Sequence, residues 1–132
     1  MSEDLRDEDY VTLAEIRHEL RRFLRFSEEA AQSEGLTPQQ HQALLAIRAA
    51  GGEMLVGALA ERLILRPHST SGQIDRLVER GLVQRAAGTT DRRQVSISLT
   101  AEGAQLLASL STAHRAELRR IRPLLSQLIE KL

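Results

Sequence analysis

The chain has 132 residues, 42% of them hydrophobic and 27% charged, a composition that suits one folded domain and excludes both a disordered and a membrane-spanning chain. The absence of cysteine excludes disulfides, thiolate zinc sites and cysteine-based redox switches. The net charge is zero, and the acidic first ten residues differ from a signal peptide, so we expect a cytoplasmic protein that does not associate with a membrane.

Two amphipathic helices are predicted in the first part of the chain. Apolar residues recur at steps of three and four from Tyr10 to about Ser33, and Gly35 ends this helix. The second helix begins within "LTPQQ", where Thr37 is a good N-cap followed by proline, and it runs to about Ala50. Its inward residues are expected to be Leu44, Leu45 and Ile47.

The next segment has the order of a helix-turn-helix. A short strand in "EMLV" precedes a third helix, Gly57 to Leu63, and a tight connection, Ile64 to Arg66. A residue before proline is biased away from the helical conformation, so Arg66 ends the connection and Pro67 starts a fourth helix. Gly81 ends that helix. Its inward residues are expected to be Ile74, Leu77 and Val78.

A two-stranded hairpin is predicted after the fourth helix. Its strands are Leu82 to Ala87 and Val95 to Leu99, and its polar tip contains "GTTDRR". Apolar residues alternate with Ser96 and Ser98 in the second strand, which indicates one buried and one exposed face. Thr100 is the expected N-cap of the next helix.

A long apolar stripe runs along the chain from Ala101 onward. Pro123 is expected to split it into a long helix and a short terminal one. The terminal helices carry more apolar surface than the region between them can cover, so we expect isologous pairing of two chains; the alternative is one monomeric bundle. The predicted division is an N-terminal dimerisation helix (1–35), a winged helix-turn-helix region (36–100) and C-terminal dimerisation helices (101–132).

The predicted fold class is mainly α with a small β-hairpin wing, a winged helix-turn-helix. This architecture places one helix in the DNA major groove and a basic hairpin beside it. The start of the fourth helix is rich in Ser, Thr and Gly, poor helix formers that favour DNA contact over a plain surface helix. Gln73 can hydrogen-bond adenine, and Arg76 can bind guanine or phosphate. The candidate contacts of this helix are Arg66, Pro67, His68, Ser69, Thr70, Ser71, Gln73 and Arg76.

Gly72 lies inside the fourth helix, where glycine costs about 1 kcal/mol relative to alanine. It permits close approach either to DNA or to the third helix, and the sequence favours neither.

Arginines concentrate in the helix-turn-helix and the hairpin. Residues 60–94 hold seven arginines against four acids, whereas residues 1–35 hold five against ten. From charge alone, a mixed solvated surface remains the alternative. An arginine at a hairpin tip can enter the narrow minor groove, so Arg92 and Arg93 are candidate DNA contacts, and Asp91 is expected to orient an arginine.

The segment "LRPHSTSGQIDRLVERGLVQR", with "DRR" in the wing and "LTAEG" after it, resembles the multiple-antibiotic-resistance regulator (MarR) family. "GLTPQQHQALLAI" is similar to that family's second helix, and the close likeness covers about residues 36–103. The resemblance implies a homodimeric winged-helix transcription factor, usually a repressor of nearby genes, on a pseudo-palindromic operator. It also implies Arg93 as the minor-groove arginine and a small phenolic or lipophilic effector that releases the DNA.

Candidate effector contacts are few. The chain has one Tyr and two Phe, so an aromatic-lined pocket is not expected, and His18 and His41 are the candidate polar contacts, with His114 as a further one. A lone histidine on an apolar stripe is more often a hydrogen-bonded core residue than a ligand contact. No cofactor and no metal site are predicted.

Two other classes of function were weighed. An enzyme is not expected, because no nucleophile–base pair, phosphate loop or carboxylate pair stands at a useful spacing. The main alternative is a winged-helix protein-interaction module without sequence-specific DNA binding, which predicts an acidic or apolar recognition face. The residues that argue against that alternative are Ser69, Thr70, Gln73, Arg76 and Arg93.

Overall fold

A computed structural model describes residues 4–88, 91 and 93–132 of the chain. Within these residues there are five helices and three strands, in an order that confirms the predicted winged helix-turn-helix class. The helices are α1 (Asp7–Ser33), α2 (Pro38–Ala49), α3 (Val56–Leu63), α4 (Pro67–Glu79) and α5 (Ala101–Glu130). The strands are β1 (Glu53–Leu55), β2 (Val83–Ala87) and β3 (Val95–Leu99).

The start of α2 is fixed by the predicted capping box. The Thr37 hydroxyl accepts a hydrogen bond from the Gln40 amide at 3.1 Å, and the Thr37 amide donates to the Gln40 side chain at 3.1 Å. Just before it, Gly35 adopts a left-handed φ of +74° and ends α1. The chain therefore passes from α1 to α2 within four residues, 34–37.

The three strands form an antiparallel sheet in the order β1-β3-β2. The predicted alternation in β3 is only partly correct, because Val95 is exposed and Ser96 is buried. Ser96 lies between Leu55 and Ala86 in the middle of the sheet, and its hydroxyl donates to the Glu53 carboxylate at 2.6 Å. Its burial is tolerated because this hydrogen bond satisfies the hydroxyl.

The core lies between α2, α3, α4 and the sheet. Its fully buried large side chains are Leu44, Ile47, Leu59, Ile74, Leu77 and Ile97. Leu45 was expected to be inward, but it is 48% exposed. Consecutive residues of a helix point about 100° apart, so Leu45 faces away from the core that Leu44 enters.

The predicted break at Pro123 is wrong, because α5 is one continuous helix of 30 residues. Pro123 removes a backbone donor, but it is exposed, so the carbonyl of Arg119 that it leaves free can bind water. Ile121 and Leu128 are buried on either side of it, and α5 packs along α1. This packing holds both halves of the helix in line.

The first turn of α5 is packed tightly against the end of α4 and the start of β2. The Thr100 hydroxyl accepts a hydrogen bond from the Gly103 amide at 3.0 Å and donates to the Gly81 carbonyl at 2.6 Å. The Thr100 amide donates to the Leu82 carbonyl at 3.1 Å. Gly103 is buried so close to this carbonyl that a Cβ atom would overlap it.

Helices α1 and α5 keep large apolar side chains in contact with solvent. These are Val11, Leu13, Leu20, Leu24, Leu118, Leu124 and Ile129. Even so, none of the helices in the described residues has the length and apolar character needed to span a bilayer.

Candidate DNA interface

The turn between α3 and α4 sets the exposure of the fourth helix. Ile64 ends α3 in the left-handed conformation (φ 56°, ψ 41°), and its side chain is 92% exposed. Arg66 is extended, as expected before proline, and Pro67 opens α4. The side chains of Arg66, Pro67, His68 and Ser69 are consequently all exposed.

The candidate contacts further along α4 divide by burial. Arg76 is exposed, and Ser71 and Gln73 are half-buried. The amide oxygen of Gln73 is buried and makes no hydrogen bond within the described residues. In the part of the chain that the structure describes, this oxygen is thus an acceptor without a partner, and it lies beside the surface expected to face DNA.

Thr70 does not face outward, contrary to the sequence analysis. It is 0% exposed, and its hydroxyl donates to the Arg66 carbonyl at 3.2 Å, one turn earlier. Thr70 lies four residues before Ile74 and seven before Leu77, so it shares their core-facing side of α4. The Thr70 hydroxyl therefore hydrogen-bonds a backbone carbonyl at the start of α4 from the core side. Thr70 is not a candidate DNA contact.

Gly72 has open space around it. Apart from the backbone of its own helix and its chain neighbours, no atom of the described residues lies within 4 Å of the position that a Cβ would take. The structure therefore excludes close packing on α3 as the reason for a glycine here, and leaves close approach to a ligand outside the chain.

The wing carries an ion pair between Asp91 and Arg93. The Asp91 carboxylate accepts from the Arg93 backbone amide at 2.9 Å and from Nε and Nη2 of its guanidinium, each at 3.3 Å. The Arg93 side chain nevertheless remains 92% exposed. This is the contact that an orienting role for Asp91 requires. Arg92 and the tip residues Thr89 and Thr90 lie outside the described residues.

The same hydrogen bonds act on the titration of Asp91. The backbone amide of Arg93, and then its guanidinium, lower the pKa of the Asp91 carboxyl below its ordinary value. Asp91 is therefore ionised at neutral pH and presents a fixed negative charge to Arg93.

A second ion pair, which the sequence analysis did not predict, joins α4 to the wing; we call α4 the recognition helix because it is the helix expected to enter the major groove. Arg85 of β2 donates to the carboxylate of Asp75 on α4. Val83 and Arg85 lie on the same side of β2, because side chains alternate along a strand, and Val83 is buried against the core. That alternation was a signal in the sequence that Arg85 points towards α4.

The start of α3, α4 and the wing enclose a cleft of about 650 Å³. Ser71 lines it from α4, Arg85 from β2, and Arg93 from the wing. The structure thus brings two of the predicted contacts, Ser71 and Arg93, to one cleft and adds Arg85 to them.

We predict that Asp75→Ala weakens DNA binding although it removes a negative charge. Loss of the carboxylate frees Arg85 and the wing, and a surface pair of at most about 1 kcal/mol sets the expected loss at about three- to fivefold. The dissociation constant is measured by fluorescence anisotropy. Glu79→Ala, another exposed acid of α4, is the control and should bind slightly tighter, and exchanging the charges (Asp75→Arg with Arg85→Asp) should recover part of the loss. Tighter binding by Asp75→Ala would show that the pair does not position the wing.

A second cavity, of about 740 Å³, lies away from this interface, between α1, α2 and α5. His41 and His114 line it, whereas His18 is exposed on α1 and is not among its lining residues. Phe23 also lines it, and both phenylalanines of the chain contact His114. The low aromatic content of the sequence did not indicate that the two phenylalanines lie together beside this histidine. We call this cavity the terminal-helix groove.

Comparison with known proteins finds a family resemblance in part of the chain. Residues 34–94, from the end of α1 to the wing, match the model of the MarR family. Over these residues, just under half of the chain, the protein is similar to the MarR family. The HTH-type transcriptional repressor MdtR of Bacillus subtilis (strain 168) is 35% identical over 75 residues, which are 57% of this chain and 48% of MdtR. The chain spans about half the length of the curated relatives it matches.

Solved structures of MarR-family proteins share the fold over most of the chain. AbsC, a MarR family transcriptional regulator from Streptomyces coelicolor, superposes with a TM-score of 0.74 at 25% identity, over 90% of this chain and 81% of AbsC. A mutant MarR from E. coli complexed with operator DNA gives a TM-score of 0.64 at 24% identity, over 98% and 88%. The second likeness concerns the fold alone.

Proposed function

We propose that this chain is a sequence-specific DNA-binding transcriptional regulator of the MarR family. The observation that carries the proposal is the interface itself: the start of α4 is exposed and polar, and the exposed Arg93 borders the same cleft as Ser71. Arg66, Pro67, His68, Ser69, Ser71, Gln73 and Arg76 contact the major groove and its phosphates. Arg93, held by Asp91 and assisted by Arg92, contacts the minor groove.

The relatives support this proposal. MdtR is described as a transcriptional repressor, and one structural neighbour is a complex with operator DNA. By analogy with MdtR, we propose repression as the direction of regulation. If this is correct, expression of a reporter placed under the promoter of the chain's own gene should rise when that gene is deleted. If the chain is an activator, reporter expression should fall.

We further propose that the chain acts as a homodimer on a pseudo-palindromic operator. The apolar side chains left exposed on α1 and α5 support pairing through residues 1–35 and 101–132. Two α4 helices then enter successive major grooves about 10 base pairs apart. Sedimentation equilibrium should give twice the chain mass, and a monomer at micromolar concentration would contradict the pairing.

A small-molecule effector belongs to the same proposal. The size of the terminal-helix groove, within the about 300–1,000 Å³ usual for ligand pockets, supports it, and His41 is the candidate polar contact. Phenolic or lipophilic compounds that lower DNA affinity should do so less for a His41→Gln variant.

A mobility-shift assay tests the central proposal. The probe is DNA from upstream of the chain's own gene, at low salt, with selection from a random duplex pool in parallel. We expect a discrete complex of two chains per duplex and enrichment of an inverted repeat. If no DNA is bound and no sequence is enriched at low salt, the proposal fails and a protein-interaction module becomes the better description.

We predict that Gln73→Ala changes which base is preferred at one position in each half-site. A bidentate glutamine–adenine contact discriminates against other bases by about 1–3 kcal/mol. Selection from the random pool with the variant should relax the preference at one position and leave the other positions as they were. Ser69→Ala, which loses only a hydroxyl suited to phosphate, is the control and should keep the preference. An unchanged preference in Gln73→Ala would remove Gln73 from the base-reading set.

A further inference from the structure

Two histidines meet where α2 of the DNA-binding region contacts the terminal helices. The rings of His41 on α2 and His114 on α5 lie 4.8 Å apart between centroids. Phe23 and Phe26 of α1 present their edges to His114, with centroids 5.9 and 5.7 Å away. His41 is only 7% exposed. These three ring–ring contacts join three helices that belong to two parts of the fold.

The hydrogen bonds of His114 suit an uncharged ring. Its Nδ1 contacts the carbonyl of Leu110, which only accepts, so Nδ1 carries the proton. In the neutral ring Nε2 is then an acceptor, and the Ser27 hydroxyl of α1, 2.7 Å away, donates to it. Both nitrogens are used without any positive charge.

The surroundings of the two rings oppose a positive charge. The charged side chains that line the terminal-helix groove all belong to α5: Arg115, Arg119 and Arg122. From α2 the neutral Gln42 lines it, and from α1 the neutral Ser27. The acids after Ser27, Glu28 and Glu29, border a separate groove on α1. Among the described residues around the groove, no carboxylate faces the histidines, so a protonated ring meets only cations and neutral groups.

Burial, reinforced by the neighbouring His114, lowers the pKa of His41 below its ordinary value of 6.5. The unfolded chain keeps the ordinary pKa, so between the two values it binds more protons than the folded chain. The contribution of neutral His41 to the free energy of unfolding is therefore complete above the ordinary value and is lost as the pH falls through this window. A fall in pH therefore destabilises the folded state in which His41 contacts His114.

We propose that the His41–His114 contact is a proton-sensitive joint between the DNA-binding region and the terminal helices, which weakens DNA binding when the surroundings become acidic. Protonation of His41 places a positive charge on a buried ring that contacts His114 and lies beside the arginines of α5, and this charge pushes α2 away from α5. Because α2 packs against both α3 and α4, this displacement reaches the recognition helix. The DNA part of the inference rests on the proposed function.

The test compares DNA dissociation constants at about pH 7.5 and about pH 5, so that the acidic measurement lies well below the ordinary histidine value from which the pKa of His41 is lowered. His68 is a second histidine, exposed at the start of α4 among the proposed DNA contacts, so all proteins carry His68→Gln to keep it out of the comparison. We expect the affinity of this parent to fall by at least about threefold on acidification. His41→Gln and His114→Gln should each show a smaller ratio between the two pH values. Equal ratios in all three proteins would overturn the proposal.

A measurement without DNA separates this inference from the proposed function. In an NMR titration of the full wild-type chain, the His41 ring should titrate below the ordinary histidine value of 6.5, and backbone amides of α2 and α5 should shift with the same midpoint. If no duplex binds at either pH, the proposed function fails while this titration still decides on the joint. A His41 ring that titrates at or above the ordinary value of 6.5 would overturn it, and the wild-type titration needs no variant that could fail to fold.

Discussion

Arg93→Ala should raise the dissociation constant for operator DNA about tenfold or more and make its salt dependence shallower. The Arg93 side chain is almost fully exposed and, among the described residues, hydrogen-bonds to Asp91, so it can enter the minor groove. Removal of one phosphate- or groove-bound cation reduces the slope of log K against log salt by about one. Anisotropy titrations at several salt concentrations measure both quantities.

Two further variants sharpen this result. Arg25→Ala is the matched control, because Arg25 is equally an exposed arginine paired with an acid, Glu29, but lies on α1. It should leave affinity and slope unchanged. Arg93→Lys should keep the slope and lose part of the affinity, because lysine retains the charge without the planar guanidinium. If Arg93→Ala and Arg25→Ala behave alike, Arg93 is not the wing contact.

Gly103→Ala should lower the free energy of unfolding by about 2 kcal/mol or more, the usual cost of overpacking a site enclosed by backbone. The added Cβ overlaps the Leu82 carbonyl, which also accepts the hydrogen bond of the Thr100 amide. Relief of that overlap requires α5 to move off β2, so the gain in helix propensity from alanine cannot compensate. Urea unfolding followed by circular dichroism measures the change.

Gly72→Ala should change the free energy of unfolding in the opposite direction. Gly72 is also inside a helix, but its Cβ position is open, so alanine should raise the free energy of unfolding by about 0.5–1 kcal/mol. Its DNA affinity should nevertheless fall, because the methyl group obstructs close approach of α4 to the groove. Equal stability changes in the two variants would contradict the packing described for Gly103. Unchanged DNA affinity in Gly72→Ala would show that α4 does not approach DNA closely at this glycine.

The order of elements follows from signals that are local in the chain. Thr37, Pro67 and Thr100 mark helix starts through side-chain caps or a fixed φ, and Gly35 marks an end, so each boundary depends on only a few neighbours. The structure agrees with all four. The family likeness rested on the same segment, since the match to the family covers residues 34–94.

The departures from prediction come from contacts between distant parts of the chain. The burial of Ser96 is tolerated because Glu53, far away in sequence, accepts a hydrogen bond from its hydroxyl. Pro123 leaves α5 intact because packing on α1 outweighs one lost hydrogen bond. Thr70 is different, because a local signal predicted its burial. Its spacing of four residues from Ile74 places it on the core side of α4, although its polar side chain suggests an exposed position.

The candidate site was less predictable than the fold. Arg85 and Asp75 come together only when the hairpin folds back beside α4, and a single sequence carries no direct record of that pairing. The meeting of His41 with His114 depends in the same way on three helices packing together.

The uninterrupted α5 fixes a length. At 1.5 Å per residue its 30 residues make a rod of about 45 Å. Thr100 and Gly103 fasten one end to the base of the wing, and the other end carries exposed apolar side chains such as Ile129. In the proposed homodimer, two such rods hold the recognition helices at a set separation, which a hinge at Pro123 would have left adjustable. One base pair inserted between half-sites moves the second by about 3.4 Å and turns it by about a tenth of a helical turn, a mismatch that stiff rods cannot follow.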